Sequence, residues 1–110
     1  MNIEGVYRLL QEVGLPVAYR SWVGQDGGTP PDRPYLIYYF EDTDPFPADD
    51  SVYITQNSWC VELYVDHKNP SIEIAIEELL SSKEILFAKH EVGPVADAAP
   101  LLITYRFQTI

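Results

Sequence analysis

The chain has 110 residues, of which 46% are hydrophobic and 22% are charged, a composition typical of a folded globular protein and not of a disordered one. Its length suits one domain, residues 1–110, and no export leader or apolar run long enough to cross a bilayer is visible, so we expect a soluble chain. Seventeen acidic residues against seven Lys and Arg give a formal net charge of −10, which disfavours binding to nucleic acid or to an anionic membrane.

The first third of the chain predicts one helix and two strands. Asn2 can cap a helix, which would end before a Gly/Pro pair. Its apolar stripe follows the helical period and consists of Ile3, Val6, Tyr7, Leu10 and Val13. Strands are predicted over Val17–Val23 and Tyr35–Phe40, separated by a Gly- and Pro-rich loop over Gly24–Pro34. Because Tyr35–Phe40 is apolar or aromatic on both faces, it indicates a central strand, or one whose second face meets another molecule.

The middle of the chain predicts an exposed loop and a hairpin. Residues Glu41–Asp50 (EDTDPFPADD) contain five carboxylates and two prolines, which favours an extended loop. Two strands, Ser51–Thr55 and Ser58–Asp66, would follow, with a turn at Gln56–Asn57 between them. Alternation in the second strand predicts a core face and a face that is wet or meets a partner. The core face would carry Trp59, Val61, Leu63 and Val65, and the other face Cys60, Glu62, Tyr64 and Asp66.

The last third predicts a helix and two strands. Asn69 and Pro70 are suited to the N-cap and the first helical position, and Glu73 in the first turn favours the helix dipole. The buried stripe would be Ile72, Ala75, Ile76, Leu79 and Leu80. Strands are predicted over Ile85–Glu91 and Leu101–Ile110. The fold class is therefore predicted to be α+β, with a mainly antiparallel sheet of about five or six strands and two amphipathic helices packed on it.

Candidate catalytic groups are few, and we do not predict an enzyme. His67 and His90 lack the spacing of a metal pair, so we interpret them as surface or strand-end histidines. An Asp66-His67 pair with Ser58 or Ser71 would resemble a triad, but triads are recognised by geometry and not by composition. Cys60 is the only cysteine, so no intrachain disulfide can form, and this content fits a reducing compartment. We interpret Cys60 as a packing residue.

Two interpretations of the acidic loop are compared: a cation site and a solvated surface. Its carboxylates are Glu41, Asp42, Asp44, Asp49 and Asp50. They lack the alternating ligand positions and central glycine of an EF-hand loop, which favours the solvated surface. The glycines at 24, 27 and 28 form no phosphate-binding motif either. We therefore predict no metal and no cofactor.

Aromatic residues are more numerous on the predicted strands than one small core needs. Tyr and Trp are also favoured at protein interfaces, because each combines a large apolar body with a polar end. Two interpretations stay open: the helices cover these side chains, or the sheet is an assembly surface.

Three stretches carry a resemblance to a known group of proteins. They are PYLIYYFEDTD after the Pro/Gly loop, VELYVDHKNPSIEIAIEELL, and the closing LLITYRFQTI. In this order, after an N-terminal helix, they resemble the tail terminator (tail completion, or head-tail joining) proteins of long-tailed bacteriophages and prophages. The resemblance covers nearly the whole chain in element order, and the acidic loop departs from it.

The resemblance implies a homo-oligomeric ring, usually a hexamer, at the head-proximal end of the tail tube. Such a subunit stops tube growth and contacts the tube protein and the head-tail connector, while DNA passes through without specific binding. It would be found in the virion tail, and in the host cytoplasm during assembly, without membrane or cofactor. Glu62, Tyr64 and Asp66–Asn69 would lie near a subunit contact or ring surface.

We predict an assembly interface that uses Tyr38, Phe40, Glu62 and Tyr64, with the two loops reaching neighbours. The five carboxylates of the acidic loop would face the lumen of the ring or a partner. Closed cyclic symmetry requires two different patches on each subunit, which an aromatic strand face and long loops would supply. The alternatives are another minor phage tail or head-closure protein, and a monomeric acidic module that binds a basic protein.

Overall fold

The computed structural model describes residues 1–22, 30–47, 53–93 and 101–109, with only the backbone for residues 42–47 and 53–55. Its elements in chain order are α1 (Ile3–Gln11), β1 (Val17–Tyr19), β2 (Tyr35–Pro47), β3 (Tyr53–Val65), α2 (Pro70–Ser82), β4 (Phe87–Val92) and β5 (Leu101–Thr109). The predicted α+β class is confirmed, with two helices and a five-stranded, mostly antiparallel sheet. Most of the predicted Gly24–Pro34 loop, the residues Asp49 and Asp50, and the segment 94–100 lie outside the described residues.

The strands lie in the order β1-β2-β3-β5-β4. β1 pairs with β2 in parallel, from Val17↔Leu36 to Tyr19↔Tyr38, and the other three pairs are antiparallel. β1 has only three residues and β4 six, so both edges of the sheet are short, which limits pairing with other chains. The long central strands β2 and β3 therefore determine the shape of the sheet.

The middle of the chain differs from its predicted structure. β3 is one continuous strand through Gln56 and Asn57, so the turn predicted there is wrong and the strand count is five. β2 likewise continues from Tyr35 to Pro47, so residues 41–47 of the predicted acidic loop are strand, with a register irregularity between Phe40 and Asp42.

Beyond the last pair of β3 with β5, the hairpin has only two strands. β5 ends its pairing at Asn57↔Thr109, whereas β2 and β3 stay paired from Thr43↔Asn57 to Pro47↔Tyr53. We call the segment beyond Asn57, Asp44–Pro47 with Tyr53–Gln56, the ribbon. It extends past the rest of the sheet, in a molecule with principal extents of 54 × 30 × 26 Å. A lone two-stranded hairpin is at best marginally stable in water, and no third strand pairs with the ribbon in the described part of the chain.

Both helices contribute to one core cluster on one face of the sheet. That face has the predicted Trp59, Val61, Leu63 and Val65 in the middle, all buried. The cluster also takes in Val6, Leu9 and Leu10 of α1, Ile76 and Leu80 of α2, Leu36 and Tyr38 of β2, and Leu101, Ile103, Tyr105 and Phe107 of β5. With roughly 1.5–3 kcal/mol for each large apolar side chain removed from water, this cluster is the main favourable term for folding.

The helices begin where predicted, but their buried stripes are narrower. Asn2 caps α1, because its side chain accepts a hydrogen bond from Gly5 N at 2.8 Å. Asn69 occupies the N-cap position of α2, without a side-chain hydrogen bond to the helix. In α1, Ile3 is 44% and Tyr7 37% exposed, so their prediction as core residues is wrong. In α2, Ala75 is exposed and Glu73 is buried instead.

Trp59 joins the core to the end of β5 through a buried hydrogen bond. Its indole Nε1 donates to Thr109 Oγ1 at 2.9 Å, and Phe40 lies edge-on to its ring, with 5.4 Å between ring centroids. Since an unpaired buried donor costs about 1–3 kcal/mol, the hydroxyl of Thr109 specifies the orientation of the indole.

A double-mutant cycle tests this bond. Thr109→Val should lower the free energy of unfolding by about 1–2 kcal/mol, because Trp59 Nε1 then lacks its partner. Trp59→Phe should cost more, since it also removes packed volume. The double variant should be less destabilised than the sum of the two single changes, by about 1 kcal/mol in urea unfolding. Strict additivity would contradict a coupled pair.

Candidate interaction surfaces

The face of the sheet opposite the helices carries a row of aromatic side chains. By register it holds Tyr35, Ile37 and Tyr39 of β2, Cys60, Glu62 and Tyr64 of β3, and Leu102, Thr104 and Arg106 of β5. The Tyr35 ring stacks on Tyr64 at 5.1 Å and meets Trp22 edge-on at 5.7 Å. We call this surface the tyrosine face. Glu62 and Tyr64 are half-buried, in agreement with the mixed face predicted for β3, whereas Tyr35, Ile37, Cys60 and Thr104 are buried within the single chain.

Polar groups on the tyrosine face are paired with each other. Tyr64 Oη donates to Glu62 Oε1 at 3.0 Å, and burial together with the Glu62 carboxylate raises the pKa of Tyr64 to about 12. Arg106 Nε lies 3.3 Å from Glu41 Oε1. Burial raises the pKa of the Cys60 thiol, which disfavours the reactive thiolate and agrees with a packing role.

The four predicted interface residues lie on two different faces. Glu62 and Tyr64 are half-buried on the tyrosine face. Tyr38 is on the helix side, only 1% exposed, and donates its hydroxyl to Ile3 O at 2.9 Å, so it is a core residue of the single chain. Phe40 lies on the same side, half-buried against Trp59. The structure therefore does not bring the four together into one patch.

The predicted acidic residues are placed only in part. Glu41 is exposed and paired with Arg106. Asp42 and Asp44 belong to β2, where the backbone alone is described, and Asp49 and Asp50 lie outside the described residues. Within the described side chains, no group of three His, Cys, Asp or Glu residues is arranged to hold a metal ion.

An apolar groove lies between the start of α1 and the base of the ribbon. It has a volume of about 750 Å³ and is lined by Asn2, Ile3, Glu4, Tyr7, Tyr38, Phe40, Asn57 and Trp59. Ile3 and Tyr7 border the open side of this groove, in agreement with their exposed fractions of 44% and 37%. Ile3 and Tyr7 fit the helical period of the core stripe, and the position of Ile3 directly after the cap was the only sequence signal that this end of the stripe borders a groove.

A buried carboxylate connects α2 to the sheet. Glu73 is 2% exposed, and its Oε1 lies 2.7 Å from Lys89 Nζ and 2.9 Å from Lys68 Nζ. Lys68 also pairs with Glu91, and Lys89 with Glu77 at 3.0 Å. Oε2 of Glu73 has no hydrogen-bond partner among the described residues. We call these five residues the Glu73 network; it ties α2 and the turn before it to β4.

The contacts within the Glu73 network shift the pKa values of Glu73 and of both lysines. These shifts determine the pH range in which the network stabilises the fold. Burial alone would raise the pKa of Glu73, but hydrogen bonds from Lys89 and Lys68 outweigh it and the pKa is lowered. The carboxylate therefore contributes stability above the pKa of an unfolded Glu, about 4.3, which is lost as the pH falls through the folded-state value. Hydrogen bonds raise the pKa of both lysines, chiefly from Glu91 for Lys68 and from Glu73 for Lys89. Their contribution is lost at the alkaline end instead.

The structure separates Ser58 from Asp66, its proposed partner in a triad. Asp66 Oδ1 lies 2.6 Å from Arg33 Nε, so its carboxylate is engaged by a guanidinium. His67 and His90 are exposed. Ser58 Oγ accepts a hydrogen bond from Gln108 Nε2 at 3.2 Å and is seven residues before the end of β3, roughly 23 Å from it. Ser58 is therefore far from Asp66.

No known protein family matches the chain, and no curated protein is significantly similar to it in sequence. In the described part of the chain, neither helix combines the length and the apolar character that crossing a membrane requires.

The Glu73 network gives a testable pH dependence. Glu73→Gln keeps the side-chain size but removes the charge, and it leaves both lysines with Glu91 and Glu77. We expect the free energy of unfolding to fall by about 1–2 kcal/mol at neutral pH. The difference should shrink as the pH is lowered through the folded-state pKa of Glu73, where the wild-type carboxyl also becomes neutral.

The measurement is urea unfolding at a series of pH values from about 7 down to about 3. Glu78→Gln is the matched control, because Glu78 is exposed on the same helix and should change stability by less than about 0.5 kcal/mol. A loss for Glu73→Gln that is independent of pH would show that the charge of Glu73 is not responsible.

Proposed function

We propose that this protein is a structural phage virion subunit of the tail terminator type. It would form a ring at the head-proximal end of the tail tube, stop tube growth and join tail to head. The proposal gives it no catalytic role and no cofactor: it works through surfaces that bind the tube protein, the connector and further copies of itself. It would be located in the virion tail, and in the host cytoplasm before assembly.

The observation that supports this proposal best is the ribbon. With no third strand beside it among the described residues, this extension resembles a lone hairpin, which is at best marginally stable in water, and it would gain contacts if another subunit lay against it. A subunit with such an extension is suited to assembly. The tyrosine face supports the same role, since Tyr39 and Tyr64 on it are half-buried and tyrosine is enriched at interfaces.

The distribution of charge is compatible with a DNA channel. All seven Lys and Arg lie in the described residues, and five of them form ion pairs within the chain: Arg8, Arg33, Lys68, Lys89 and Arg106. Few cations are left to bind a phosphate backbone, and the net charge of −10 is multiplied around a ring. A negative lumen would let DNA pass without being held.

The same observation favours one alternative, a monomeric module that binds a basic protein. Internal ion pairing leaves the surface of a single copy strongly acidic, which is a sufficient basis for attraction to a basic partner without assembly. The oligomeric state separates the two proposals.

The absolute mass in solution tests the ring. Light scattering over a concentration series should give a discrete high mass, and electron micrographs of that species should show closed rings. Tail tubes that lack their terminator serve as a second sample, because the tube end could act as a template. A protein that stays monomeric and leaves the ends of such tubes uncapped would rule out the tail terminator proposal and favour the acidic module.

A further inference from the structure

We propose that the edge of β3 in the ribbon pairs with an extended, basic segment of a partner protein, which adds to the sheet as a further strand where β5 ends. The inference goes beyond the proposed function, because it names the chemistry of a partner and applies to a ring subunit and to a monomer alike. It rests on the backbone of the ribbon and on the charges around it.

The direction of the backbone groups in β2 follows from its contacts with the chain around β1. Leu36 N donates to Pro16 O at 2.8 Å. Tyr38 O accepts from Arg20 N, also at 2.8 Å. Leu36 and Tyr38 therefore direct their backbone groups away from β3, and in an antiparallel ladder the residue opposite such a residue does the same. Tyr38 is in register with Val61, so the N–H and C=O groups of Val61 point towards β5.

The same alternation continues along β3 into the ribbon. The register irregularity lies in β2, and every second residue of β3 directs its backbone groups to the β5 side. In the ribbon these residues are Thr55 and Tyr53. They lie opposite Pro45 and Pro47, which have no N–H to donate to β3. The prolines thus agree with the assignment that Thr55 and Tyr53 face away from β2.

The backbone groups of Thr55 and Tyr53 lie beyond the end of β5. β5 pairs with β3 only as far as Asn57↔Thr109, and in the described part of the chain no strand faces the N–H and C=O groups of these two residues. Such an edge is suited to pairing with another chain. In strand addition, main-chain hydrogen bonds supply the affinity, so the fitting occupant is an extended segment.

Other edges of the sheet carry residues that discourage pairing, whereas this one does not. Pro45 and Pro47 leave the outer edge of β2 without two donors, and Lys89 lies on the edge strand β4. Proline and lysine are common means of protecting an edge. The segment Tyr53–Gln56 has neither proline nor charge, so its edge is the one suited to strand addition.

Two clefts lie beside the end of β5, with volumes of about 580 Å³ and 350 Å³. Both are lined by Gln56, the ribbon residue next to Asn57, and by Gln108, which precedes the last residue of β5. A strand that continued the line of β5 along the ribbon would run between these two positions. The structure therefore has open space where the added segment would enter.

The charge of the ribbon favours a basic occupant. Asp44 is in register with Gln56, one strand away from the edge, and residues 41–50 contain five carboxylates and no Lys or Arg. An added strand would lie about 10 Å from β2, a distance comparable with the Debye length at about 0.1 M salt. A second copy would bring the same carboxylates to the contact, so its own charge disfavours it as the occupant.

The lining of the clefts has the same bias. Glu84 is exposed and lines both of them. In the larger cleft Arg106 is paired with Glu41 at 3.3 Å, and Lys83 lines the smaller one. Lys or Arg side chains of an added strand would therefore meet Glu84 at the entrance and the carboxylates of β2 farther along.

Binding of a synthetic peptide tests the pairing. The probe is a fluorescently labelled peptide of about ten residues with alternating Lys and Val, a pattern suited to a strand. Its control has Glu in place of every Lys. By fluorescence anisotropy at about 0.05 M salt, we expect the Lys peptide to bind at least about tenfold more tightly than the Glu peptide. Its affinity should fall as the salt is raised to about 0.5 M.

Two matched proline variants separate strand pairing from general attraction between opposite charges. Thr55→Pro removes the N–H that would face the peptide and keeps the ladder with β2, which does not use that N–H. Thr43→Pro is the control: Thr43 is opposite Asn57, so its N–H faces the outer edge of β2. We expect Thr55→Pro to weaken binding of the Lys peptide at least about tenfold and Thr43→Pro to change it less than about twofold.

Amide hydrogen exchange of the wild-type protein, followed by NMR, requires no substitution. The amides of Ile54 and Gln56 face β2 and should exchange slowly, whereas those of Tyr53 and Thr55 should exchange fast. Addition of the Lys peptide should slow exchange at Tyr53 and Thr55. This readout also holds if a proline variant fails to fold.

Several outcomes would overturn the proposal. They are equal binding of the Lys and Glu peptides, equal effects of the two prolines, and amides of Tyr53 and Thr55 that are protected without peptide. Protection that grows with protein concentration would assign the edge to a second copy instead. None of these results decides whether micrographs show closed rings, so failure of this proposal is distinguishable from failure of the ring.

Discussion

The packing of both helices on one face of the sheet is the constraint on which the other features of this structure depend, and Trp59 lies at its centre. Its ring is buried in the core, and its indole nitrogen donates a hydrogen bond to Thr109 at the end of β5. Phe40, its register partner in β2, meets the ring edge-on. In the described part of the chain, β5 stays paired with this hairpin only as far as Asn57↔Thr109, and no further strand pairs with it beyond that point. The same ring forms a wall of the apolar groove, so the groove and the ribbon both begin where the core ends.

The other end of the core is fixed by charge. Glu73 would be costly to bury alone, and two lysines from different elements make its burial possible. Lys89 lies on an edge strand, where a charged side chain also discourages pairing with other chains. One ion network thus attaches α2 and protects the β4 edge. Among the described residues, the groove and the half-buried part of the tyrosine face are then surfaces suited to contacts.

Much of the fold could be predicted because its signals are local. Helix caps, helical stripes and alternation identified both helices and the core face of β3, and the residues of the Trp59 stripe are buried as expected. The ribbon could not be predicted in this way, because two prolines and a run of carboxylates usually indicate a loop. Pro45 and Pro47 are two residues apart, so their nitrogens lie on the same side of the strand, and both can face an edge that needs no donor. Whether such an edge exists depends on β1 ending its pairing at Tyr38, which is a tertiary fact.

The candidate surfaces were harder to predict than the fold, since exposure depends on which elements stop early. Ile3 and Tyr7 fit a helical stripe, yet both border the open groove between α1 and the strands β2 and β3. Tyr38 shows the reverse: it belongs to an aromatic strand suited to an interface, but its hydroxyl finds Ile3 O and it joins the core.

Internal ion pairing constrains how copies of this chain can associate. Five of the seven cations are held by carboxylates of the same chain, so salt bridges between copies have few donors, and the net charge opposes approach. A contact between copies would then come mainly from apolar surface, and the groove is such a surface among the described residues. Repulsion would keep free subunits apart at low concentration. Association would then become favourable only where several contacts form at once, as in a closing ring or on the end of a tube, which is where a tail terminator has to act.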